Sequence, residues 1–248
     1  MQSRSAVRLC GKASLPSQSA GIRWCVQQFA TGEYSPSGKR QQLGESTHYR
    51  GSVIAWGDGM LRIAVIIGST RPGRNGEVVA QWAYDTAHQR GDADFEVIDI
   101  TQFNLPLLDE PMPAMSGQYS QPHTRAWSAT IASFDGYVFV TPEYNHGAPG
   151  ALKNAIDFLF PEWMNKAAGF IGYGYTMGSR AVEQLRLVMA SLQVATVRPQ
   201  VGLSLFADFE NATVFKPLPI QQNSLTVLLD HVVAWSGALK TLRDKRED

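Results

Sequence analysis

The sequence predicts an α/β chain, a three-layer sandwich with a five-stranded parallel sheet between helices. Three observations predict it. Leu61 to Ile67 is a continuous apolar run with β-branched residues, the signature of a strand buried on both faces. A glycine-bearing loop follows and leads directly into a segment of helical period. The same strand–loop–helix unit then recurs, and such alternation calls for a parallel sheet built through right-handed crossovers.

Each element follows in order. Gly76 to Gln89 reads as a helix with Val78, Val79, Trp82, Ala83 and Thr86 on one side. Phe95 to Ile100 is the second strand. A long irregular stretch with Pro106, Pro111, Pro113 and Pro122 comes next, and loops of that length are often functional. Thr124 to Ser133 is helical, and Asp135 to Val140 is the third strand. Pro149 opens another helix where its missing N–H costs nothing, and that helix runs to about Phe160. Ala167 to Tyr173 is the fourth strand. The helix Ser179 to Leu192 buries Val182, Leu185, Val188 and Met189. A fifth strand lies near Val194 to Leu203. A second irregular stretch covers Phe206 to Leu218, and the last helix runs from about Gln222 to Leu242. Five strands fit the flavodoxin-like order 2-1-3-4-5. Strands one and three then flank the switch point, where open α/β sheets hold ligands.

Composition narrows the function classes. The formal net charge is zero, with 44% hydrophobic residues, so nothing points to nucleic acid or a membrane surface. No stretch approaches the roughly 20 apolar residues of a membrane span. Residues 1–59 carry seven Lys/Arg against three Asp/Glu and contain both cysteines, Cys10 and Cys25. They show no sustained period and read as a disordered N-terminal extension, with Met60 the natural start of the domain. A transit peptide is the alternative, because the first thirty residues bear arginines and no acids. Residues 60–248 form the folded domain. Its lack of cysteine excludes thiol nucleophiles and disulfides there and fits a reducing, cytoplasmic setting. No His/Asp/Glu cluster has metal spacing.

Two loops carry the chemistry. The first is Gly68-Ser69-Thr70-Arg71-Pro72-Gly73-Arg74-Asn75-Gly76. Small residues let backbone N–H groups turn inward, the helix N-terminus adds positive charge, and Arg71 and Arg74 can pair with anionic oxygens. The glycine spacing is that of a nucleotide-hydrolase loop, but Arg74-Asn75 replaces its Lys-Ser/Thr pair and leaves no magnesium ligand. A monophosphate fits better. The second loop, Pro142-Glu143-Tyr144-Asn145-His146-Gly147, offers an aromatic face, an amide and an open backbone to a flat polar ring. Together they imply a ligand with a phosphate at one end and a ring at the other, as in flavin mononucleotide (FMN).

These residues resemble the NADPH-dependent FMN reductase family, which includes quinone, azo-dye and chromate reductases. Gly68-Ser69-Thr70-Arg71 with Asn75-Gly76 is similar to its phosphate loop. Pro142 to Asn145, continuing through Pro149-Gly150-Ala151-Leu152-Lys153-Asn154-Ala155-Ile156-Asp157, is similar to its isoalloxazine loop and following helix. The likeness covers about residues 61–243. It implies hydride transfer from NADPH or NADH to bound FMN and onward to a small electron acceptor, with no catalytic side chain. Backbone N–H groups of Asn145–Gly147 would meet one edge of the ring, and donors of a third loop, Gly174, Tyr175 and Thr176 to Met177, the other. That third loop departs from the family's glycine pair, since Tyr175 and Met177 are bulky. The resemblance also implies a homodimer or homotetramer. Tyr144, Phe158, Phe160 and Trp163 either face such a partner or pack on the domain's own sheet. An electron-carrier or flavin-storage module without nicotinamide chemistry is an alternative, as is a sensor of a phosphorylated metabolite.

Single residues read as follows. Glu143 is expected to orient its loop rather than act as a base. His146 contacts a carbonyl of ring or substrate, or only lines the site. Lys153, Asn154 and Asp157 stabilise their helix or meet a neighbouring subunit. His123 lies in the long loop, and His88 and His231 read as surface residues.

Overall fold

The computed structural model describes residues 59–244. Expectations for the N-terminal tail therefore lie outside the described residues, apart from Gly59. Four parallel strands form the centre of the sheet: β1 (Arg62–Ile67), β2 (Asp94–Asp99), β3 (Gly136–Pro142) and β4 (Ala167–Gly174). Their order is β2-β1-β3-β4 with a fifth position beyond β4, so the 2-1-3-4-5 topology holds.

That fifth position is shared. β5 (Ala195–Thr196) pairs with Ala167 and Ala168, while β6 (Val201–Ser204) pairs with Ile171 to Gly174. One continuous strand was expected. Pro199 lies in the break, and proline has no N–H to give the ladder. The Arg186 guanidinium bridges the gap by donating to the carbonyls of Val197 and Arg198.

The side-chain alternation of the strands divides the core into two layers. Val65, Ile67, Val138, Val140 and Ile171 face α1 (Gly76–His88) and α5 (Pro219–Asp244). Ala64, Ile66, Phe139 and Phe170 face α2 (Pro122–Ala132), α3 (Gly150–Asp157) and α4 (Ser179–Ser191). The buried face of α1 is Val79, Ala80, Ala83 and Ala87, rotated from expectation. Val78 is exposed, and Trp82 instead donates from Nε1 to Gln222 on α5. Phe158 and Trp163 are fully buried against β3 and α2. Of the two readings of these aromatics, packing on the domain's own sheet holds for Phe158 and Trp163: Trp163 meets the rings of Tyr137, Phe139 and Trp127, and Phe158 lies in the same buried cluster.

The second irregular stretch contains a small hairpin, β7 (Phe209–Glu210) with β8 (Val214–Phe215). Its turn residues Asn211 and Ala212 both have positive φ, as a tight hairpin turn requires. In the first long loop, Asn154 accepts from the Leu108 N–H and donates to the Pro106 carbonyl, tying that segment to α3. Lys153 and Asp157 form an i,i+4 ion pair on the same helix.

Candidate functional site

The carboxyl ends of β1 and β3 lie side by side, and the Gly68 N–H donates to the Val140 carbonyl at 2.9 Å. The two sequence-identified loops therefore open onto one crevice. A Cβ at Gly68 would stand 2.7 Å from the Leu152 side chain on α3 and 3.1 Å from the Val140 carbonyl, so a side chain there would have to displace its neighbours. The loops are also bonded directly to each other: Ser69 Oγ and Tyr144 Oη share a 2.8 Å hydrogen bond.

Between them is a cavity of about 390 Å³, within the range of small-molecule sites. Arg71, Arg74 and Asn75 line one end. Pro142, Glu143, Tyr144, Gly174 and Tyr175 line the other. These are eight of the sixteen residues expected at the site. Sequence reasoning missed Tyr173, Leu205, Ala212 and Thr213, which complete the wall. Thr70 lines a separate cavity of about 280 Å³ bounded by Ile100, Asn104 and α3.

The two arginines are not equivalent. Arg74 is nearly buried and bound to Asp99 at 2.5 Å and Glu77 at 2.7 Å, and it donates to the Ser69 carbonyl. It shapes the first loop. Arg71 is exposed, has no ion pair among the described residues, and its guanidinium lies 5.9 Å from the Tyr144 ring. Asn75 donates from Nδ2 to the Ala212 carbonyl, latching the β7–β8 hairpin over the first loop. Gly76 opens α1 and packs under Tyr173, where a Cβ would come 3.2 Å from the hydroxyl.

The second loop is a miniature hairpin. Tyr144 and Gly147 exchange both backbone bonds, and Asn145 and His146 occupy positive φ at +48° and +74°. Two expectations change here. The Gly147 N–H is consumed by Tyr144, and likewise the Met177 N–H donates to the Gly174 carbonyl, so neither is available to a ring. The open side of Gly147 faces Gln184 on α4, 2.8 Å from where a Cβ would sit, rather than the cavity.

Glu143 ties the second loop to the third. Its carboxylate accepts from Thr176 Oγ1 at 2.9 Å and from the Arg180 N–H at 3.1 Å, and pairs with the Arg180 guanidinium at 2.6 Å. Burial opposes its ionisation, but the donors from Thr176 and Arg180 prevail and hold it below the ordinary carboxylate range. Arg180 also donates to His146 Nδ1 at 3.0 Å, so His146 serves the network rather than the cavity wall. Glu143 thus orients its loop. His123 is bound to Asp109 in the long loop, and His88 and His231 are exposed.

The donor set fits a flavin nucleotide. Tyr173 Oη is buried at the cavity wall with no partner among the described residues, beside the first turn of α1. Burial, then the neighbouring Tyr144, push its hydroxyl well above the ordinary phenol range, so it remains a donor. An anion at the helix N-terminus would meet this hydroxyl, the free N–H groups of the first turn, and Arg71.

Fold and crevice define a flavodoxin-like α/β protein with an open cavity at its switch point. The model of the NADPH-dependent FMN reductase family matches residues 61–208. The chain is 42% identical over 154 residues to an NAD(P)H-dependent FMN reductase of Nectria sp, spanning 60% of this chain and 77% of that one. It is 38% identical over 149 residues to an NAD(P)H-dependent FMN reductase of Schizosaccharomyces pombe, spanning 59% and 74%. Its fold superposes on the flavoenzyme NAD(P)H:(acceptor) oxidoreductase of Paracoccus denitrificans with a TM-score of 0.58, at 21% identity, over 71% of this chain and 97% of that one. The chain belongs to the NADPH-dependent FMN reductase family. It is an oxidoreductase with FMN as cofactor and NAD(P)H as co-substrate.

Proposed function

We propose that the protein passes electrons from NAD(P)H to a small acceptor, whether a quinone, a flavin, an azo compound or a metal oxyanion. One observation carries this reading: a single cavity runs from Arg71 and Asn75 to Tyr144 and Gly174. It offers a cationic end for a phosphate and an aromatic, hydrogen-bonding end for a ring. Arg71, Tyr173 and the first turn of α1 would hold the phosphate, with Ser69 fixing Tyr144 beside them. Pro142, Tyr144 and Gly174 would wall the ring, with Glu143 keeping the second and third loops in register. Bound FMN supplies the hydride chemistry, and the protein's task is placement and exclusion of water.

We also infer a homodimer or homotetramer, supported by the exposed apolar residues Leu107 and Met115 on the long loop, surface of the kind a second subunit covers. A cytoplasmic setting is inferred from the cysteine-free domain. No helix among the described residues is long and apolar enough to cross a membrane.

The test is anaerobic. NADPH or NADH should bleach the FMN-loaded protein, and a quinone added afterwards should restore its colour. Bleaching without reoxidation by any of the four acceptor types would contradict the proposal.

A further inference from the structure

Outward from the residues that would wall the flavin ring, the cavity mouth carries two exposed aromatic rings. Tyr175 is 70% exposed and Phe206 78% exposed, and their rings meet with centroids 5.2 Å apart at an interplanar angle of 47°. Tyr175 and Leu205, the neighbour of Phe206, both line the cavity, so the aromatic pair continues its wall outward. Exposed aromatics continuous with a ligand cavity are a binding surface rather than scattered surface residues.

The pair is held in place from below. The Gly174 carbonyl accepts from both the Met177 and Leu205 N–H groups, each at 3.2 Å, so both aromatic-bearing turns hang from one oxygen. Thr176, next to Tyr175, is anchored to Glu143. Gly178, at φ +68°, packs so closely on β4 that a Cβ would fall 2.7 Å from Gly172 Cα. On the other side, the buried Asp208 carboxylate accepts from the Ser204 and Leu218 N–H groups and closes the turn that presents Phe206. The rings are thus preorganised, and an incoming ligand need not order them.

Charge narrows the ligand further. Glu143 and Arg180, the charged residues bonded into the third loop, are paired with each other. Of the two cations that line the cavity, Arg74 is ion-paired and Arg71 stands at the phosphate end. The cavity lining beside Tyr175 and Leu205 therefore offers flat apolar area and no cationic side chain for an oxyanion. Resting on the oxidoreductase reading above, we propose that Tyr175 and Phe206 form a fixed aromatic rim that stacks on the electron acceptor and selects planar fused-ring molecules over compact oxyanions.

The test uses the FMN-loaded full chain with Phe206→Ala, Tyr175→Ala and Tyr175→Phe, after measuring the flavin-to-protein ratio of each. A naphthoquinone is titrated without NAD(P)H while flavin absorbance is followed. Each alanine variant should weaken its binding by about 3- to 10-fold, the range of an aromatic contact, and Tyr175→Phe should retain it. In turnover, the ratio of kcat/KM for naphthoquinone to that for chromate should fall by a similar factor. Unchanged naphthoquinone binding, an equal loss for chromate, or loss of flavin from Tyr175→Ala would each overturn the proposal. Wild-type protein that NADPH does not bleach would instead sink the oxidoreductase reading, and the binding titration would still decide the rim.

Discussion

Glu143 shows how one side chain can tie the loops of a candidate site together. Its carboxylate gathers Thr176, the Arg180 N–H and the Arg180 guanidinium, and Arg180 in turn holds His146. Hydrogen bonds to a charged group contribute about 1.5–3 kcal/mol each. Glu143→Gln keeps the shape but removes the charge that pairs with Arg180. The second and third loops should then lose register, with FMN affinity reduced about tenfold by fluorescence titration while the circular dichroism spectrum stays native. Wild-type affinity in this variant would show that the loops are positioned by other contacts. The sequence placed Glu143, Tyr144 and Arg71 at the site because their types suit a ring and a phosphate. It did not reveal that Arg74 and Asn75 are turned to Asp99 and Ala212, since those partners lie on distant segments. Nor did it single out Tyr173, which reads as one more apolar strand residue until β4 is laid beside the first turn of α1.

At the scale of elements, the strands and helices were legible because their apolar periods are clear, as in Leu61 to Ile67 and the helix around Val182 to Met189. The split fifth strand and the β7–β8 hairpin were not. Each is only two to four residues long, and such pieces are stabilised by tertiary contacts that leave little local pattern. The opposite end of the sheet contains a device of its own. Lys166 is buried and donates to the carbonyls of Ile131 and Ala132 at the end of α2, and also to Tyr137 Oη. Burial and then Arg243 lower its pKa to about 7, against the opposing pull of Asp135 and Glu162. The unfolded chain binds this proton up to about pH 10.4 and the native state does not. Stability from this group therefore rises between about pH 7 and 10, by at most about 1.4 kcal/mol per unit. Urea unfolding should show that rise in the wild type, and Lys166→Met should remove it. A wild-type midpoint independent of pH across this window would contradict the assignment.

At the scale of the whole molecule, parallel topology converts local loop chemistry into a site. The β2-β1-β3-β4 order sets the tips of β1 and β3 next to each other, and β4 brings the third loop to the same end. In the proposed function the tail of a nucleotide would meet the start of α1 while its ring would meet Tyr144 and Gly174. The most direct measurement is equilibrium binding of FMN and of riboflavin, which differ only in the phosphate, to the flavin-free protein. We predict one FMN per chain and riboflavin bound at least about a hundredfold more weakly, the loss expected when charge-assisted contacts to a phosphate are removed. Equal affinity for the two flavins would contradict a site gripped at both ends.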